Sequence, residues 1–169
     1  MAYVIHQSGG YGNRAAFEDK SELKKAVEIT TFYKAGTRLP LPDLFDAKAL
    51  EVAESFIGKN KRGFDIGVSS TQLRRLFDEV KRYEQVLSAS DTSWEAQLPY
   101  IKMIKSKVAY TVARAAKQKP EEKGVYKNLE TFISSSINLI QTENDYHVFV
   151  SLFEAVYGFY YEKAPKGSN

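Results

Sequence analysis

Cations with aromatic rings set between them recur in the middle of this chain, at spacings that could hold a polyanion. Arg74, Arg75, Lys81 and Arg82 come close together, and Tyr100, Lys107, Tyr110, Arg114 and Lys117 follow. At the roughly 100° per residue of an α-helix, the second set shares one face. Lys and Arg neutralise phosphates while rings lie against bases or sugars, so the pattern suits a nucleic-acid strand. The plainer alternative is that Tyr100 and Tyr110 pack at a core margin and the cation stems lie over them.

Catalytic chemistry finds little support. His6 and His147 stand alone, without a second histidine at metal-ligand spacing. The paired carboxylates Asp78-Glu79 and Glu121-Glu122 are adjacent, and adjacent helical residues point about 100° apart, so neither pair shares a site by spacing. The serine-rich stretches lack a base and an oxyanion device. No cysteine is present, which excludes disulfides, thiolate nucleophiles and cysteine zinc sites. The glycine-bounded basic segment from Gly58 to Gly63 lacks the spacing of a phosphate-wrapping loop and reads as a mobile cationic loop. A binding protein without cofactor is expected.

The chain has 169 residues and 43% hydrophobic content, enough for one substantial core. Its net charge of +3 is unevenly spread. Residues 61–119 hold twelve Lys and Arg against six Asp and Glu, residues 120–169 hold four against seven, and residues 1–60 hold eight of each. The middle can therefore present a cationic surface while the rest keeps the average near neutral. No stretch approaches the roughly 18 apolar residues of a membrane span, and the first residues do not read as a signal peptide. A cytoplasmic protein is the default expectation.

Periodicity predicts an all-α, compact bundle of five to six helices with flexible termini: a tail over 1–14, one helical domain over 15–163, and a tail over 164–169. A weak helical pattern runs from Arg14 to Ile29, and Thr30 to Tyr33 reads as an irregular connection. Asp43 is a candidate N-cap for a helix to Phe56 or Ile57. Ser69, Ser70 and Thr71 offer caps for the next helix, in which Leu73, Leu76, Phe77 and Val80 form the apolar face and the arginines flank it. One helix from Glu95 to Lys119 follows, with Pro99 in its first turn. A fifth runs from Val125 to Ile140, where Ser134-Ser135-Ser136 permits a bend. The last starts at Thr142 or Asn144 and carries a broad aromatic face from Tyr146 to Tyr160, to be buried in the core or shared with another subunit.

Three stretches in order, Ser69 to Phe77, Leu98 to Tyr110 and Phe153 to Val156, resemble the small subunit of type III-A CRISPR interference complexes, the Csm complexes. The similarity covers roughly Leu41 to Lys163 and leaves the first forty residues unmatched. It implies a non-catalytic helical subunit of an antiviral ribonucleoprotein. Copies of it would stack in an inner filament beside the other subunits and along the guide RNA and target RNA. Carried onto this chain, the family's basic positions correspond best to Arg74, Arg75, Lys107 and Arg114. Lys81, Arg82, Lys102, Lys105 and Lys117 are weaker candidates, and Tyr110 adds a ring.

Two rival readings use other surfaces. A protein adaptor would act through the aromatic last helix and make no RNA contact. A helix-turn-helix would use Leu73 to Tyr83 for recognition, although the connection from Gly58 is longer than that motif's turn of three or four residues.

Overall fold

Aromatic and β-branched residues at helical spacing need a partner surface, and in this chain the last two helices provide most of it. A computed structural model describes residues 20–89 and 92–165. Its helices are α1 (Ala47–Ser55), α2 (Ser70–Ser88), α3 (Trp94–Lys102), α4 (Ile104–Gln118), α5 (Lys123–Leu139) and α6 (Glu143–Lys163), with a 3₁₀ turn at Pro120–Glu122. Helix α6 packs on α1 and α2, and α4 packs on α5. Phe56, Phe132, Phe149, Phe153, Tyr146 and Tyr160 are all fully buried. Side chains of this size each contribute roughly 1.5–3 kcal/mol on burial, so the aromatic face of α6 is core. Tyr157 and Phe159, half-buried, and Tyr161, 70% exposed, lie towards its outer side.

The helical bundle stands as the sequence implies, with a small sheet added. Strands β1 (Glu22–Leu23), β2 (Ile57–Lys59) and β3 (Asp65–Gly67) pair antiparallel in that order. The segment Gly58–Gly63 therefore belongs to a β-hairpin. From Lys20 onward the predicted first helix does not form: beyond β1 the chain is in neither helix nor strand to Ile29, with Val27 and Ile29 buried. Two side chains of α5 hold it there. Asn128 donates to the carbonyls of Lys24 (2.9 Å) and Ser55 (2.7 Å), and Ser135 Oγ accepts from the amide of Ile29 (3.0 Å). The serine run thus anchors a neighbouring segment, and α5 passes through it unbroken. Thr30 to Tyr33 is irregular apart from one bridge between Tyr33 and Pro40.

Helix ends depart from expectation where a distant group takes the place of a local cap. Asp43 does not cap α1, which begins at Ala47. Ser69 is the N-cap of α2 but makes no side-chain cap bond. Its amide donates to the hydroxyl of Tyr126 (3.0 Å), and that hydroxyl donates to Gln72 Oε1. Ser69 and Gln72 have the spacing of a capping box, and the ring from α5 is inserted between them. At α6, Thr142 and Asp145 close the box directly.

The long helix predicted from Glu95 to Lys119 is two helices that meet at Met103, and Pro99 lies in the interior of the first. Pro99 lacks the amide that would bond the carbonyl of Glu95, whereas the break lies one turn further on, where the Met103 amide is shared between the carbonyls of Pro99 (3.0 Å) and Tyr100 (3.2 Å). Helix α3 starts where Ser93 Oγ accepts from the amide of Ala96. The tail expected over 1–14 lies outside the described residues. Of the tail expected over 164–169, Ala164 and Pro165 are described, and both are half-buried.

Candidate nucleic-acid interface

Helices α2 and α4 present their basic sides to each other without closing together. Between them lies a cleft of about 180 Å³, with Gln72, Arg75, Leu76 and Glu79 on one wall and Lys107, Tyr110, Thr111 and Arg114 on the other. Each wall follows from helical spacing: Arg75 and Glu79 are one turn apart, as are Lys107 and Thr111, whose hydroxyl donates to the Lys107 carbonyl (3.0 Å). The opposite face of α4 fills the core through Ile104, Val108, Val112 and Ala115. Burying that stripe turns the cations outward. A shallow hollow continues along α4 over Tyr110, Arg114 and Lys117, and Tyr110 is 68% exposed.

The charges of the cleft are unequally occupied. Among the described residues Arg75, Arg114 and Lys117 have no ion-pair partner. Lys107 pairs with Glu79, and Arg82 lies 3.6 Å from the same carboxylate. Arg82 also stacks on Tyr83, 4.6 Å from the ring centre. Such donors suit phosphate oxygens, and the exposed phenol of Tyr110 offers a face for a base.

The other sequence candidates point elsewhere. Arg74 is outside the cleft and faces Asp78 at 3.6 Å. Lys81 bonds to Glu84 at 2.5 Å with Glu154 at 3.9 Å. Glu84's hydrogen bond and charge raise the Lys81 pKa. Lys102 donates to the carbonyls of Ile137 and Ile140, each at 2.7 Å, and so closes the end of α5. Burial and then the charge of Lys105 lower its pKa. Lys105 itself donates to Asn138 Oδ1 (2.7 Å). Tyr100, expected beside Lys107, is on α3 beyond the break, 54% exposed and outside the cleft. Gln72, Glu79 and Thr111 were not anticipated as cleft residues. They become cleft residues only when two helices meet, although Glu79, one turn from Arg75, was accessible by spacing.

His147 is held between Glu84 (3.2 Å) and Glu143 (3.6 Å), away from the cleft. Among the described residues no group of three or more His, Cys, Asp or Glu is placed to hold a metal ion, and no helix is long and apolar enough to cross a membrane.

No curated protein and no solved structure matches the chain. The family model described as Csm2 Type III-A matches residues 45–166, from the start of α1 past the end of α6. That match covers both walls of the cleft and well over half of the chain. It agrees with the motifs at Ser69, Leu98 and Phe153, and the chain therefore belongs to the Csm2 Type III-A family, the small subunit of the Csm complex.

Proposed function

We propose that this small subunit is a non-catalytic, cytoplasmic scaffold that binds guide RNA and target RNA through their phosphate backbone without reading sequence. It does so stacked beside copies of itself and the other Csm subunits. The observation that carries the reading is the α2–α4 cleft, where Arg75, Lys107 and Arg114 converge beside the exposed ring of Tyr110. Arg75 and Arg114 are unpaired among the described residues and can engage phosphates without first breaking an internal bond. Phosphate contacts position a strand and carry no base information, as a subunit accepting any target requires. The adaptor reading loses its surface, since the aromatic face of α6 is inside the core.

The test is RNA binding by the full chain and by the assembled complex over a range of salt concentrations. For single strands the logarithmic slope is about −0.7 per phosphate neutralised. Replacing Arg75 and Arg114 together by Ala should flatten it by about 1.4, two phosphates at about 0.7 each, and weaken binding to all sequences alike, whereas Arg74→Ala should bind as the parent does. Unchanged slope and affinity in the double variant would sink the proposal.

A further inference from the structure

The β2–β3 hairpin carries a second set of cations that the cleft does not use. Its loop is Asn60-Lys61-Arg62-Gly63, with Lys59 before it and Phe64 after it. The loop is braced from within. Asn60 Oδ1 accepts from the amides of Arg62 (2.9 Å) and Phe64 (3.1 Å), while the Gly63 amide donates to the Asn60 carbonyl (2.8 Å). Gly63 has φ 80°, the left-handed region that favours glycine.

From this frame Lys59, Arg62 and Phe64 are exposed to solvent, Phe64 at 64%. Neither Lys59 nor Arg62 has an ion-pair partner among the described residues. A large ring left in water beside cations adds nothing to the core, and it repeats the combination found at Tyr110. A cleft of about 740 Å³ runs beside the loop, between Lys59 and Arg62 on one side and Pro120 and Glu121 on the other. Three carboxylates lie near: Glu121 in that wall, and Glu22 on β1 and Asp65 on β3, the cross-strand neighbours of Lys59. They are outnumbered by Lys59, Lys61, Arg62 and Lys20, whose amide donates to the Lys61 carbonyl.

Topology puts the hairpin at one end of the α2–α4 cleft. Strand β3 packs on the 3₁₀ turn that follows α4 and leads through Val68 into the first turn of α2. The cations near that end of the cleft are Arg75, Arg114 and Lys117.

We propose that the hairpin is a second contact for the same single-stranded RNA. The backbone track then runs from Lys107 past Arg114 and Lys117 to Arg62 and Lys59, and Phe64 offers its ring to an unpaired base. The inference rests on the cleft being an RNA site, and its test separates the two. Full-length protein is titrated against a labelled single-stranded RNA of mixed sequence by anisotropy at several salt concentrations. The paired substitution Lys59→Ala with Arg62→Ala is expected to flatten the logarithmic slope by about 1.4, two phosphates at about 0.7 each. Phe64→Ala is expected to weaken binding roughly fivefold or more with the slope unchanged, since stacking carries no counterion release. Phe64→Leu, which keeps apolar bulk without a ring, should lose nearly as much.

All these positions are exposed, so circular dichroism and the thermal midpoint should stay at parental values. If the hairpin variants bind RNA as the parent does while Arg75→Ala with Arg114→Ala does not, the hairpin contact is wrong and the cleft stands. If only the hairpin variants lose affinity, the cleft reading fails and the continuous track fails with it. If the hairpin variants bind RNA normally but no longer join the assembled complex, the hairpin is a protein contact and the inference is overturned.

Discussion

Lys107 on α4 and Glu79 on α2 form an ion pair across the α2–α4 cleft, and Arg82 lies 3.6 Å from the same carboxylate. One acid thus engages two of the cations that a polyanion would use. Glu79 is 22% exposed at its side chain and Lys107 is 38%, so the pair is partly shielded from solvent. A phosphate entering the cleft competes with this carboxylate.

Replacing Glu79 by Gln keeps the shape and removes the charge. RNA should then bind more tightly, and the salt slope should steepen by about 0.7 for each cation released. Anisotropy across a salt series checks this. Weaker binding by Glu79→Gln would mean instead that Glu79 positions Lys107 productively.

Lys102 is a cation with its partners inside the fold. Its ammonium donates to two carbonyls at the end of α5, and a cation there also opposes the negative end of the helix dipole. Lys102→Met should lower unfolding stability by about 1–3 kcal/mol, the usual range for charge-assisted bonds lost at a half-buried site. Urea denaturation reads the loss, and the RNA salt slope should not change. A flattened slope with unaltered stability would make Lys102 an RNA ligand.

Asp145 predicts the acid limb of stability. Burial alone would raise its pKa, but bonds from Tyr33 (2.7 Å) and the amides of Gln141 (3.0 Å) and Thr142 (2.9 Å) outweigh burial and hold it below its ordinary 3.8. Arg38 adds an ion pair at 3.0 Å. Because the folded pKa is depressed, the contribution is complete at neutral pH and is lost as pH falls from about 5 through the folded value. Asp145→Asn should be destabilised by about 1–3 kcal/mol at pH 7 and should show a shallower loss on acidification than the parent. Urea midpoints at pH 7, 5, 4 and 3 test this, and parallel curves for the two proteins would rule it out.

What the sequence made legible was whatever depends on near neighbours. The apolar stripe of α4 and its outward cations follow from helical spacing, and Lys107, Tyr110, Arg114 and Lys117 stand where that spacing puts them. The sheet was not legible, because strands of two or three residues are too short to show alternation. Nor were the partners of Lys81, Lys102 and Lys105, all cationic in sequence and distinguished only by what another helix offers them. Leu76 and Phe77 were expected in the core and are half-buried, whereas Tyr83 is buried. The apolar face of α2 therefore extends further along the helix than its first two turns suggested.

Several helices close one another's ends, and this bears on how the chain folds and opens. The first turn of α2 is completed by Tyr126, 57 positions along the chain, and the last turn of α5 by Lys102, 35 positions back. Such links reward the chain only after large loops have closed, so folding is cooperative and slowed by contact order. The same wiring couples amide exchange at Ser69 to fraying at the start of α5. A strand seated on Arg75 would retard that fraying without touching Tyr126.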